Sequence, residues 1–194
     1  MNQATYADVF RPSIKSIGLL YDTVLVIGGS IMVALCAQLA LYLPFSPVPI
    51  TMQTFAVIFT GALLGSKRGA LSMICYLTEG VAGLPVFAGA KFGIAIILGP
   101  TGGYLFGFIA AAFIVGWLAE HGWDRRYWST IIAMLLGTVA IFIFGLVRLI
   151  GFVGMDHVLA MGLYPFLPGA VIKIGLASVL LPTGWKLLGT RKSL

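Results

Sequence analysis

Six apolar stretches divide this chain, at residues 23–43, 50–64, 69–84, 103–119, 129–151 and 169–188, and the cations between them fall in alternate gaps. Arg11 and Lys15 precede the first stretch, and Lys67 and Arg68 separate the second from the third. Arg125 and Arg126 separate the fourth from the fifth, while Lys186, Arg191 and Lys192 close the chain. The opposite gaps hold only Lys91. Cationic loops stay on the cytoplasmic side of a membrane, so this alternation predicts an all-α integral membrane protein with six transmembrane helices and both termini cytoplasmic. Composition agrees: 9% of residues are charged and 60% hydrophobic, whereas soluble domains average about 25% charged. The net charge of +6 is therefore a topology signal, and no nucleic acid partner is expected. The expected layout is one membrane domain over 1–194, with a cytoplasmic segment at 1–22, a six-helix core at 23–188 and a cytoplasmic tail at 189–194. The opening residues MNQATYADVFRPSIKSIGLLYD lack a cationic start followed by an apolar core, so the first span is expected to stay as an anchor.

The second and third stretches are short for a straight crossing, which implies tilt or partial re-entry. After the third, GLPVFAGAKFGIAIILGPTGGYL is apolar yet interrupted by Gly83, Pro85, Gly89, Gly93, Gly99, Pro100, Gly102 and Gly103. No continuous helix runs through that density of breakers. Irregular backbone at membrane depth survives where protein buries it or where it lines a cavity. An ordered, partly re-entrant outer loop is expected between helices 3 and 4. Together with LPFSPVPITMQT (43–54) and MGLYPFLPG (161–169), this loop places seven of the nine prolines on the outward side. A chain that builds its elaborate loops on the outer face is built to receive something from outside.

Lys173 is the charge that most needs a reason, because a lysine at mid-bilayer costs roughly 2.5–3.5 kcal/mol on insertion scales. Pro168 suits the first turn of a helix, which puts Lys173 about a turn and a half inside the outer face. There it would join the free N–H groups and positive dipole end in a site for an anion or a carbonyl oxygen; snorkelling to the headgroups is the alternative. Gln53 and Thr51 follow PVPI and offer donor and acceptor groups to a polar ligand, or else join helices. Tyr104, after GPTGG, supplies an aromatic wall with a hydroxyl, or belongs to an interfacial belt. Glu79 and Arg148 are ionisable groups at membrane depth that pair with each other or face a ligand or partner. Lys91 is an outer-loop cation that is either solvated or part of the site. His121 and His157 fall in loops on opposite faces, so no metal site is expected, and Cys36 and Cys75 read as free thiols. The sequence contains no G-x-x-x-x-G-K-[ST], H-E-x-x-H or G-x-S-x-G motif. A non-enzyme without its own ATP site is predicted.

The motifs PVPITMQT, GLPVFAG, LGPTGGYLFGF and PFLPG…IK, in this order between about residues 44 and 185, closely resemble the BioY family. Its members are the biotin-specific substrate-binding (S) components of energy-coupling-factor (ECF) transporters. The resemblance implies a six-helix protein of the plasma membrane that captures biotin from outside. It also implies a transmembrane coupling subunit and two cytoplasmic ATPase subunits as partners, with the S component toppling in the bilayer to release its vitamin. No cofactor is implied beyond the transported ligand. An S component for another small vitamin, or a solitary oligomeric biotin transporter without the ATPase module, are the alternatives. The family pattern at the start of helix six is P-G-D-x-x-K, with both charges contacting biotin. Here the lysine matches at Lys173, but the acidic position is Ala170. Arg148 also stands where a neutral residue, often tryptophan, is expected. Glu79 or Gln53 is the expected substitute acceptor, unless affinity or ligand has changed.

Overall fold

A computed structural model describes residues 3–191, with side chains described up to Gly189. The chain runs α1 (Tyr6–Val9), α2 (Lys15–Gln38), β1 (Ala40–Leu41), β2 (Ile50–Thr51), α3 (Gln53–Leu64), α4 (Ser66–Val81), α5 (Ile94–Leu98), α6 (Gly102–Glu120), α7 (Tyr127–Val153), α8 (Met155–Gly162), a 3-10 turn (Tyr164–Phe166) and α9 (Leu167–Arg191). Each predicted apolar stretch falls largely on one long helix, with displaced ends. The first begins at Lys15 and ends at Gln38, where 23–43 was expected. Residues 40–41 instead pair antiparallel with 50–51, closing a short ribbon around the prolines at 44, 47 and 49. The second stretch accordingly becomes helical only from Gln53.

Helix α6 sits at the centre. It is buried on most of its circumference and packs most extensively on α7, then on α3 and α4. Small residues set these distances. A side chain at Gly61 would meet the backbone carbonyl oxygen of Ala112 at 2.6 Å, and one at Gly29 would meet Ser72 Oγ at 2.6 Å. The outside of the bundle is apolar: Leu19, Leu20, Ile31 and Leu35 on α2, and Ile143 and Val147 on α7, are exposed. Exposed apolar surface on this scale marks contact with lipid or with protein. Four helical stretches, Lys15–Gln38, Gly102–Glu120, Tyr127–Val153 and Met155–Gly189, are long and apolar enough to cross a membrane. Helices α3 and α4 have 12 and 16 residues, about 18 and 24 Å of rise, short of a hydrocarbon core of about 30 Å.

One end of the bundle is basic. Arg11, Lys15, Lys67, Arg68, Arg125, Arg126 and Lys186 lie at helix ends and turns on this side. Lys192 and the rest of 192–194 lie outside the described residues. The N-terminal segment crosses this end and is tied down by polar contacts. Arg68 pairs with Asp8 and, at 3.1 Å, with Asp22, which Arg11 also meets at 2.8 Å. The Tyr6 ring lies 4.3 Å from that of Trp185, whose Nε1–H donates to Asp124. Asp124 is buried, with its other oxygen unpartnered. Burial pushes its carboxyl up to about 6 against the opposing pull of the Trp185 hydrogen bond and Arg125. At Gly65 the α3–α4 turn adopts φ +86°, and a side chain there would meet Glu120 Oε1 at 2.7 Å. That oxygen accepts from the Ser66 N–H and hydroxyl, so glycine is the residue that fits.

Candidate functional site

The other end carries the irregular segments. Val48 and Phe87, both buried, anchor the 42–52 and 83–101 connections to the core. Ser46 Oγ donates to the Met161 carbonyl at 2.7 Å, fastening the first connection to α8. In the second, Phe87 and Lys91 form an antiparallel bridge around Gly89, at φ +70°. A side chain at Gly89 would meet Tyr42 Oη at 2.2 Å. Gln38, the last residue of α2, accepts the Ala90 N–H at 3.0 Å and donates to the Phe87 carbonyl at 3.4 Å. Two prolines and a glycine shape the connection to α9, where a 3-10 turn containing Pro165 leads into a helix with Pro168 as its second residue. Helix α8 was not expected from the sequence. It follows the break at Gly154 and fills part of the predicted connection before α9.

These segments roof a cavity of about 410 Å³ between α3, α6, α7 and α9, within the range of small-molecule sites. Apolar side chains form most of its wall, among them Ile58, Leu105, Phe108, Ile141, Phe142 and Phe166. Lys173, Gln53, Thr51, Tyr104 and Lys91 converge on it from four parts of the sequence. Lys173 turns inward, not toward headgroups. Its Nζ donates to the Thr51 carbonyl at 2.5 Å and to Thr54 Oγ1 at 2.8 Å. An ammonium has three N–H donors, so one is left for a ligand. No Asp or Glu lines the cavity among the described residues, and both cations therefore face it without a carboxylate.

Gln53 is buried at the first turn of α3. Thr51 Oγ1 donates to its Oε1 at 3.0 Å, and its Nε2 donates to Tyr76 Oη at 2.6 Å. Tyr76 in turn donates to the Val86 carbonyl at 3.1 Å. The chain of bonds holds the amide rigid and leaves one N–H and one lone pair on Gln53 unspent. Tyr104 donates to the Gly162 carbonyl at 2.8 Å, and its ring stacks on Phe166 at 6.3 Å. Gly145 leaves room for that ring, since a side chain there would come within 2.3 Å of it. Lys91 is exposed at the rim, 5.5 Å from the Tyr42 ring centroid. Ala170 lines the same wall as Lys173.

Two sequence candidates do not join this set. Glu79 lies between α2 and α4, accepting from Ser30 Oγ and from Cys75 Sγ, the latter at 3.3 Å. Arg148 is exposed on α7, donates to the Leu98 carbonyl and lies 5.3 Å from the Phe152 ring centroid. The two do not pair with each other, and neither lines the cavity. Half-buried Glu79 is satisfied locally by a thiol one turn away on α4 and by the hydroxyl of Ser30, 49 residues distant, and that separation hides the second partner. Conversely, Thr54 and Tyr76 hold Lys173 and Gln53 in place and were not singled out from the sequence. Thr54 closes the quoted PVPITMQT motif, one turn from Thr51, and that spacing was its signal.

A mostly helical, multi-pass membrane protein that encloses a mainly apolar cavity with two unpaired cations and a rigid amide is a receptor or carrier for a small polar molecule. The chain belongs to the BioY family, whose model matches residues 6–190. A chain of Rhizobium etli named biotin transporter BioY is 36% identical over 174 residues, covering 84% of this chain and 93% of its own. One of Pyrococcus horikoshii, named "Probable biotin transporter BioY", is 41% identical over 134 residues, covering 69% and 78%. The fold is similar to the crystal structure of the S-component for biotin from an ECF-type ABC transporter, with TM-score 0.79 and 26% identity over 90% of this chain and 95% of that one.

Proposed function

We propose that this chain captures biotin from outside the cell and serves as the S component of an ECF-type transporter. The observation that carries the proposal is the cavity wall itself: largely apolar, with Lys173 and Lys91 as its only charges among the described residues. Biotin has a fused ring system, a ureido group and a carboxylate on a flexible chain. Lys91 at the rim suits the carboxylate, while the apolar rings around Phe108, Phe142 and Phe166 suit the bicycle. The free N–H of Lys173 suits the ureido oxygen. With Ala170 in place of an acid, the spare lone pair of Gln53 takes a ureido N–H.

In this reading the chain crosses six times, with the basic end and both termini on the cytoplasmic side of the plasma membrane and the cavity end outside. The one-sided distribution of arginine and lysine supports this orientation, and tilt brings the short α3 and α4 across. A coupling subunit and two ATPases supply the energy that this chain has no motif to harvest. Calorimetry on the purified chain tests the reading, with biotin compared against its amide and against a panel of other vitamins. Biotin is expected to bind, and the amide to bind at least about tenfold more weakly, the cost of one charge-assisted contact. Binding of another vitamin in place of biotin would overturn the assignment.

A further inference from the structure

Helix α5 forms part of the cavity roof through Ala95 and Ile96, and Gly99, Pro100 and Thr101 continue it toward α6. None of its residues is fully buried, and only Ile96 and Ile97 pack partly against the core, so packing holds it only in part. Its N-terminal side is well fastened: the Gly93 N–H donates to the Gly80 carbonyl at 2.7 Å, and Gln38 grips the preceding hairpin. Its C-terminal end is held differently. Leu98 is the last residue of α5, and its carbonyl has no partner within so short a helix. The guanidinium of Arg148 donates to it from α7. The stem of Arg148 lies against the first turn of α6, where a side chain at Gly103 would come within 2.4 Å of Arg148 Cβ.

We propose that Arg148 is a latch on α5 that sets how fast ligand enters and leaves the cavity. Arg148 does not line the cavity, so it is a positioning residue that acts through the flap. Its bond lies at the surface of the bundle, with Leu98 and Arg148 both exposed, so it can open without unpacking the core. A group that holds the flap but never touches ligand changes the barrier in both directions by the same factor. Association and dissociation rates then move together, and Kd stays nearly constant. A group that touches ligand changes mainly dissociation.

This inference rests on biotin occupying the cavity, and the test separates the two. Association and dissociation of radiolabelled biotin are measured on the purified full chain and on Arg148→Gln, with hydrogen exchange followed over residues 94–101. Both rates are expected to rise about threefold to tenfold, the effect of one exposed charge-assisted hydrogen bond, with Kd within about twofold. Exchange over 94–101 is expected to quicken while that of α7 does not. Arg148→Lys keeps a cation and is expected to restore part of both effects; it carries the test if Arg148→Gln does not fold. Faster dissociation with unchanged association would overturn the latch by making Arg148 a ligand contact, and unchanged rates in both variants would overturn it outright. Failure of the wild-type chain to bind biotin would instead overturn the cavity assignment.

Discussion

Replacing Lys173 with methionine separates ligand recognition from fold stability. Methionine keeps much of the side-chain volume and removes the charge. Two of the three ammonium donors of Lys173 are committed to Thr51 and Thr54, so the ligand gains one bond from it. A hydrogen bond to a charged group contributes about 1.5–3 kcal/mol. Affinity for biotin is therefore expected to fall about tenfold to a hundredfold. The ligand-free protein responds differently. The substitution relieves a half-buried cation of its desolvation cost but leaves the Thr51 carbonyl and Thr54 hydroxyl without a donor, and these effects are of similar size and opposite sign. The thermal midpoint without biotin should consequently shift little. Calorimetry and thermal unfolding on the same detergent-purified sample read both quantities. An unchanged Kd with an intact fold would refute the reasoning and make the lysine a structural tie between α9 and α3.

The remaining predictions test other parts of the molecule. Ala170→Asp sets an acid on the wall that carries Lys173, one helical turn away, and is expected to preserve or tighten biotin binding. Because Glu79 lies outside the cavity, adding Glu79→Gln should have an additive effect in a double-mutant cycle, and strong coupling would contradict the site described. With Cys36 and Cys75 replaced by Ala, His121→Cys and Ala90→Cys should label from opposite sides of the membrane with an impermeant reagent; labelling of both from outside would sink the six-crossing arrangement. The raised carboxyl of Asp124 makes the folded state bind more protons than the unfolded state. Its contribution is fully present below about pH 4 and lost as pH rises through about 6. Between pH 8 and pH 5 this group should add about 1–2 kcal/mol of stability, and Asp124→Asn should flatten that slope in thermal unfolding. Asp8 works the other way. Burial raises its carboxyl, but hydrogen bonds from Thr5 and Arg68 outweigh this and hold it low, so its contribution is lost only at more acid pH.

Helix positions were legible because apolar length and cation placement are one-dimensional signals. Helix α2 starts at Lys15 and not at residue 23, and its first two turns bring Asp22 to Arg11 and Arg68. A hydrophobic window cannot see such a partner. The glycines and prolines of 84–103 excluded a long helix, but they did not reveal that five residues, Ile94–Leu98, would form one of their own. Lys173 stood out because its charge is expensive in an apolar run. Glu79 and Arg148 stood out for the same reason, yet they are satisfied by Ser30 and Cys75 and by a backbone carbonyl. Isolated charge in a span signals that a partner exists, not which partner. Tyr76 was silent because nothing in an α4 sequence indicates that its hydroxyl fixes Gln53 from 23 residues away.

Biotin in the cavity between Lys91 and Lys173 is an arrangement that the structure of the chain with biotin bound would reveal. Density for the bicyclic ring is expected against Phe108, Phe142 and Phe166, with the ureido oxygen within hydrogen-bond reach of Lys173 Nζ and the carboxylate beside Lys91. An empty cavity under saturating biotin, or biotin bound elsewhere on the chain, would rule this placement out.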